Sequence, residues 1–177
     1  MKLWQTFLSS FNGKSFFLSD QWCNSEHLKL FTDSAGSLGF GAIFGSKWCY
    51  GKWPATSVHY NIAVLEFYPI VLSLCLWGHL MKNQCILFFT DNEAVVHAIN
   101  KQSCKDKHLM HFVRKLVLMC LENNIIFRAK HIKGSYNVLA DSLSRLQIAK
   151  FMQLAPADMD EVQTDIPFHL QQQNWHP

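Results

Sequence analysis

Four carboxylic acids, Asp33, Glu66, Asp91 and Asp141, each fall where the residue pattern opens or ends an element. Acids drawn to one point raise one another's pKa and weaken the fold unless positive charge joins them. A divalent cation supplies that charge. Mg²⁺ prefers hard oxygen ligands and keeps several waters, so carboxylates plus a substrate phosphate suit it better than His or Cys. Two such ions roughly 3.5–4 Å apart stabilise both the attacking water and the leaving oxygen of a phosphodiester.

Each acid also has a plainer reading. Asp33 alone reads as an ordinary residue at a bend, Glu66 as an acid near a helix N-terminus and Asp91 as a helix N-cap. Asp141, flanked by Leu139, Ala140 and Leu143, is harder to explain as a solvated residue. His131, ten residues before it, is either structural at a strand end or a proton-transfer group. Cys104, His108 and His111 have a helix-compatible metal spacing but lack a fourth ligand, so no zinc site is expected there. Trp48, Tyr50 and Trp53 fit either a strand core or a stacking surface for bases.

The elements that must position these groups follow from periodicity. Leu28–Thr32 and Gly39–Phe44 alternate around a Gly-containing bend, and Lys47–Trp53 is a third strand closed by Pro54, together an antiparallel meander. This puts Asp33 at the end of the first strand. Leu65, Leu72, Leu76 and Leu80 recur at helical spacing, and Pro69, which an interior turn tolerates poorly, places the helix start near Leu65 with Glu66 in its opening turn. Cys85–Thr90 is a continuous apolar run, the mark of a strand buried on both faces, with Asp91 at its end. Helices are predicted over Asn92–Ile99, His108–Asn124 and about Asn137–Phe151, with a strand over Ile125–His131. This order predicts an α/β fold with a five-stranded mixed sheet, three antiparallel strands then two parallel, and helices on both faces.

A chain of 177 residues suits one core, and its six scattered cysteines without a C-x-x-C pair read as reduced thiols of an intracellular protein, in cytoplasm or nucleus. No signal-peptide pattern opens the chain, and Glu66, Pro69 and His79 interrupt the apolar window Ile62–Met81, so a buried helix is expected there and no membrane association. From Leu28 to Gln147 thirteen Lys and Arg face seven Asp and Glu, four of which are the acids above. That basic balance fits a polyanion partner.

Several blocks together resemble a type 1 ribonuclease H domain. They are Phe31-Thr-Asp-Ser-Ala-Gly36, Gly39-Phe-Gly-Ala42, Leu65-Glu66, Thr90-Asp-Asn-Glu-Ala-Val95 and the run His131-Ile-Lys-Gly-Ser-Tyr-Asn-Val-Leu-Ala-Asp-Ser-Leu-Ser-Arg145. More narrowly they resemble the reverse-transcriptase-linked form found in DIRS-like, tyrosine-recombinase retrotransposons. The likeness runs from about Trp4 to Pro156, with the four acids in the family's order.

The resemblance implies an RNase H-like domain over residues 28–152, and composition adds an apolar extension, 1–27, expected to pack on it or on a missing neighbour, and an acidic, Gln-rich tail or linker over 153–177. It implies hydrolysis of the RNA strand of RNA–DNA hybrids with two Mg²⁺, or Mn²⁺, held by Asp33, Glu66, Asp91 and Asp141. His131 would assist proton transfer or product release, and Asn137 would frame the loop before the last helix. Ser34, Ala35, Gly36 and Asn92 would contact the hybrid through its minor groove and 2′-hydroxyls. An upstream reverse transcriptase domain is the implied partner. Two other classes compete: a non-cleaving nucleic-acid-binding or structural module, and a transposase or integrase core, which the order of the acids disfavours.

Overall fold

Alternating apolar and polar residues give the first half of the chain its strands, and a run of large apolar residues gives it a central helix. The computed structural model describes residues 5, 8, 9, 22–55 and 59–171; expectations placed on residues 1–4, 6, 7, 10–21, 56–58 and 172–177 lie outside the described residues. Strand β1 (Trp22–Asn24) runs into a single turn of helix, α1 (Ser25–Leu28), and Lys29 at φ 53° redirects the chain into β2 (Leu30–Ala35). Strands β3 (Gly39–Phe44) and β4 (Lys47–Lys52) complete an antiparallel sheet, with Leu30 opposite Phe44, Asp33 opposite Gly41 and Phe44 opposite Lys47. Gly45, at φ 61°, makes the β3–β4 bend that an L side chain would strain.

Helix α2 (Ile62–Trp77) starts at Asn61, whose side chain accepts from the Ala63 N–H at 2.6 Å. It therefore begins earlier than Leu65, and Pro69 lies in its interior, where it cannot donate to the Leu65 carbonyl. Burial on nearly all sides holds the helix together despite that lost bond, because little of it has water to turn to. Continued by a 3₁₀ turn, Ile62–Met81 is long and apolar enough to cross a membrane by length and composition, yet 72% of an 18-residue apolar window within it is buried inside the fold.

Strand β5 (Cys85–Thr90), helices α3 (Glu93–Lys101) and α4 (Lys107–Glu122) and strand β6 (Ile126–His131) follow. Here β5 pairs in parallel with β6 on one side and with β1 on the other, from Trp22 opposite Cys85 to Asn24 opposite Leu87. The fold is α/β, but the single five-stranded sheet is not formed. Among the described residues six strands make a parallel sheet, β1–β5–β6, and an antiparallel one, β2–β3–β4. Strand β1 takes the hydrogen-bonding edge of β5 over Cys85–Leu87, and β2 lies beside β5 without a ladder to it.

The expected last helix is broken into α5 (Val138–Ser144) and α6 (Ile148–Leu154). Leu146 turns left-handed at φ 59°, and the Gln147 N–H reaches back to the Ser142 carbonyl at 2.9 Å, a six-to-one bond that ends a helix. Side chains alternate across β3 and β4: Phe40, Ala42 and Cys49 join the main core with α2, α3 and α4, whereas Ile43 and Trp48 meet Ala140, Leu143 and Phe151 of α5 and α6. Trp48 and Trp53 are thus core residues. The segment after α6 runs along β4, with the Asp160 N–H on the Ser46 carbonyl at 3.0 Å and the Thr164 N–H on the Trp48 carbonyl at 2.7 Å, covering an edge strand. Cys23, Cys49, Cys75, Cys104 and Cys120 are free thiols.

Candidate active site

Asp33 is not a bend residue. Strand β2 continues to Ala35, so Asp33 sits in its body and shares a face with Phe31, the face that α5 covers. Helix α5 comes this close because Gly41, directly across from Asp33, has no side chain: a Cβ there would lie 2.4 Å from Leu143 Cβ and 3.0 Å from the Ala140 carbonyl. The approach brings the end of α5 onto Asp33. Ser144, fully buried, donates its hydroxyl to Asp33 Oδ2 at 2.5 Å, and Arg145 Nε donates to Asp141 Oδ1 at 2.7 Å.

Asn137 anchors the other end of α5, its amide donating to the Thr32 carbonyl at 2.7 Å, one residue before Asp33. Its own side-chain oxygen is buried without a partner. Asp91 follows β5 at the surface, and Asn92, not Asp91, is the N-cap of α3, accepting from the Ala94 and Val95 N–H groups at 3.0 and 3.2 Å. His131 ends β6, with Nε2 3.1 Å from the Asp91 carbonyl. Gly134 lies so near that a Cβ there would stand 2.9 Å from Asp91 Oδ2.

Glu66 belongs to the second turn of α2, on the site side of the helix, and its field shows where it stands. Burial lifts its carboxyl to about 9, with the charges of Asp33 and then Asp91 adding to the shift. Burial also lifts Asp33, to about 6; the Ser144 hydroxyl opposes this, Asp141 and Asp91 push it further up, and Arg145 pulls it down. The four acids therefore share one electrostatic neighbourhood. They do not converge as placed: among the described residues no three His, Cys, Asp or Glu side chains are arranged to hold one ion. Asp33 is turned to Ser144 and Asp141 to Arg145.

As donors the four carboxylates fit a hard divalent cation: all offer hard oxygens, and Glu66 and Asp33, raised by burial and by neighbouring acids, gain from added positive charge. Of the expected substrate contacts, Ser34 is buried in β2 with its hydroxyl unpartnered, Ala35 ends that strand, Gly36 opens the exposed β2–β3 turn, and Asn92 is committed to its cap. Ser144 and Arg145 were not singled out from sequence. The signal for Arg145 was present: a base four residues after an acid on one helix face. No protein-family model matches the chain, and no curated protein matches it.

Proposed function

We propose that the chain is an RNase H-like, metal-dependent endonuclease that cleaves the RNA strand of RNA–DNA hybrids within, or derived from, a retrotransposon's reverse-transcription machinery. The observation that carries this reading is the coupling of Glu66 to Asp33 and Asp91, and of Asp33 to Asp141, across two helices and two strands. Residues 33, 66, 91 and 141 lie far apart in sequence, and a fold that only needed surface acids has no cause to bring them into one field.

Asp33, Glu66, Asp91 and Asp141 would hold Mg²⁺, which when bound supplies Lewis-acid charge to the attacking water and the leaving oxygen. The chain's own groups do the rest. Asn137 and Ser144 fix α5 to β2, so Asp141 is presented beside Asp33 from a rigid support. A carbonyl accepts, so His131 donates from Nε2 to the Asp91 carbonyl, and its Nδ1 would face the site's rim to take or return a proton. Lys133 and His131 are exposed there and would meet the phosphate backbone electrostatically.

The test is incubation of labelled RNA–DNA hybrid, RNA duplex and DNA duplex with and without Mg²⁺, beside Asp91→Asn. Mg²⁺-dependent cleavage of hybrid RNA is expected, falling about 100-fold or more in the variant. Undiminished cleavage by Asp91→Asn sinks the site assignment. Hybrid binding without cleavage of any substrate selects the non-cleaving module instead.

A further inference from the structure

Arg145 has no role in the reaction as proposed, yet it is the cation that acts on the acids. It follows the end of α5, four positions after Asp141, with Nε 2.7 Å from Asp141 Oδ1 and a side chain 52% exposed. Its charge also opposes the upward push on Asp33. Ser144 and Arg145 are consecutive, so the end of one short helix engages an oxygen of Asp33 and an oxygen of Asp141 at once. This accounts for four acids that share a field without three of them meeting around a point.

A guanidinium stays charged at any working pH, so it leaves a carboxylate only by moving. Asp141 Oδ1 cannot serve a guanidinium N–H and a divalent cation in the same position. Half exposure makes the movement easy, and an exposed pair at this helical spacing is held weakly. We infer that Arg145 is a tethered counter-ion of the carboxylate cluster, one that a divalent cation must displace from Asp141 in order to bind. This rests on the four-carboxylate reading and adds to it a built-in competitor that sets how readily the cation enters.

The experiment is calorimetric titration of Mg²⁺ into the full chain at low ionic strength, comparing wild type, Arg145→Gln and Arg145→Lys. Arg145→Gln binds Mg²⁺ roughly three-fold tighter or more, with Arg145→Lys between it and wild type. The difference shrinks as salt screens the pair, and metal-free Arg145→Gln melts below wild type. If wild type binds Mg²⁺ and Arg145→Gln binds it equally or more weakly, the inference is overturned and the four-carboxylate reading stands. Failure of wild type to bind Mg²⁺ overturns both. Should Arg145→Gln not fold, the Nε–H resonance of Arg145 in wild type gives the answer: it shifts as Mg²⁺ saturates the site, and a resonance that stays put overturns the inference.

Discussion

Ser144 Oγ donates to Asp33 Oδ2 at 2.5 Å, tying the end of α5 to the body of β2 across 111 positions of sequence. The same hydroxyl lies 2.9 Å from the Asp141 carbonyl, its other acceptor. One proton cannot fully satisfy both, and the half-buried carboxylate, when ionised, makes the stronger claim on it.

Ser144→Ala leaves Asp33 without that donor. The expected cost is about 1–2 kcal/mol of stability, measured by urea unfolding at neutral pH. The Asp33 carboxyl, already raised to about 6, should titrate higher still in a carbon-detected NMR titration. A variant as stable as wild type with an unmoved Asp33 would show that the bond contributes nothing.

Stability of the metal-free protein should fall as the medium becomes more alkaline. Glu66 titrates near 4.5 when unfolded and about 9 when folded, and Asp33 near 3.8 and about 6. The folded state holds both protons more tightly, so their contribution is complete below the unfolded values. It is lost as pH rises, through about 6 for Asp33 and about 9 for Glu66. Glu66→Gln should flatten most of the slope above pH 6. Thermal melts from pH 5 to 9 decide it, and a stability that climbs across this range contradicts the burial of Glu66.

Mg²⁺ should reverse that loss. A ligand that binds only the folded state adds about 2.7 kcal/mol at one hundred times its Kd, and a chain of this size gains roughly 2–4 °C in Tm per kcal/mol. The expected gain is therefore about 5–10 °C. It grows with pH, since binding must expel protons from Glu66 and Asp33. Chelation with EDTA returns the original Tm, and Asp91→Asn removes most of the gain. Equal gains in wild type and Asp91→Asn would place the ion elsewhere.

Gly41 and Gly36 should answer alanine differently. At Gly41 the added methyl meets Leu143 Cβ at 2.4 Å and pushes on the helix that carries Asp141. Gly41→Ala should cost about 1–3 kcal/mol and reduce hybrid cleavage further than its stability explains. At Gly36 the methyl meets only Ile62 Cδ1, at 3.6 Å, an ordinary contact. Gly36→Ala should leave the melting temperature within about 1 °C, so any loss of hybrid affinity there reports crowding of the nucleic acid.

Much of this was legible in residue order. The alternation of β3 and β4, the apolar run of β5 and the stripe of α4 each appear close to where periodicity puts them, because local pattern decides which residues face a core. Partner and register are not local properties. That β1 takes the edge of β5, that α2 runs on through Pro69, and that Leu146 turns left-handed to split the last helix were all decided by distant packing. Sequence alone put Asp91 at the end of β5, whereas Asp33 lies in the body of β2 and Glu66 in the second turn of α2. Only the tertiary structure decided that Gly41 lets α5 approach, that Ser144 and Arg145 each take a carboxylate oxygen, and that Glu66 is buried within reach of Asp33 and Asp91. The reason is physical: burial and Coulombic coupling depend on distance through space, and spacing along the chain fixes that distance only within a single element.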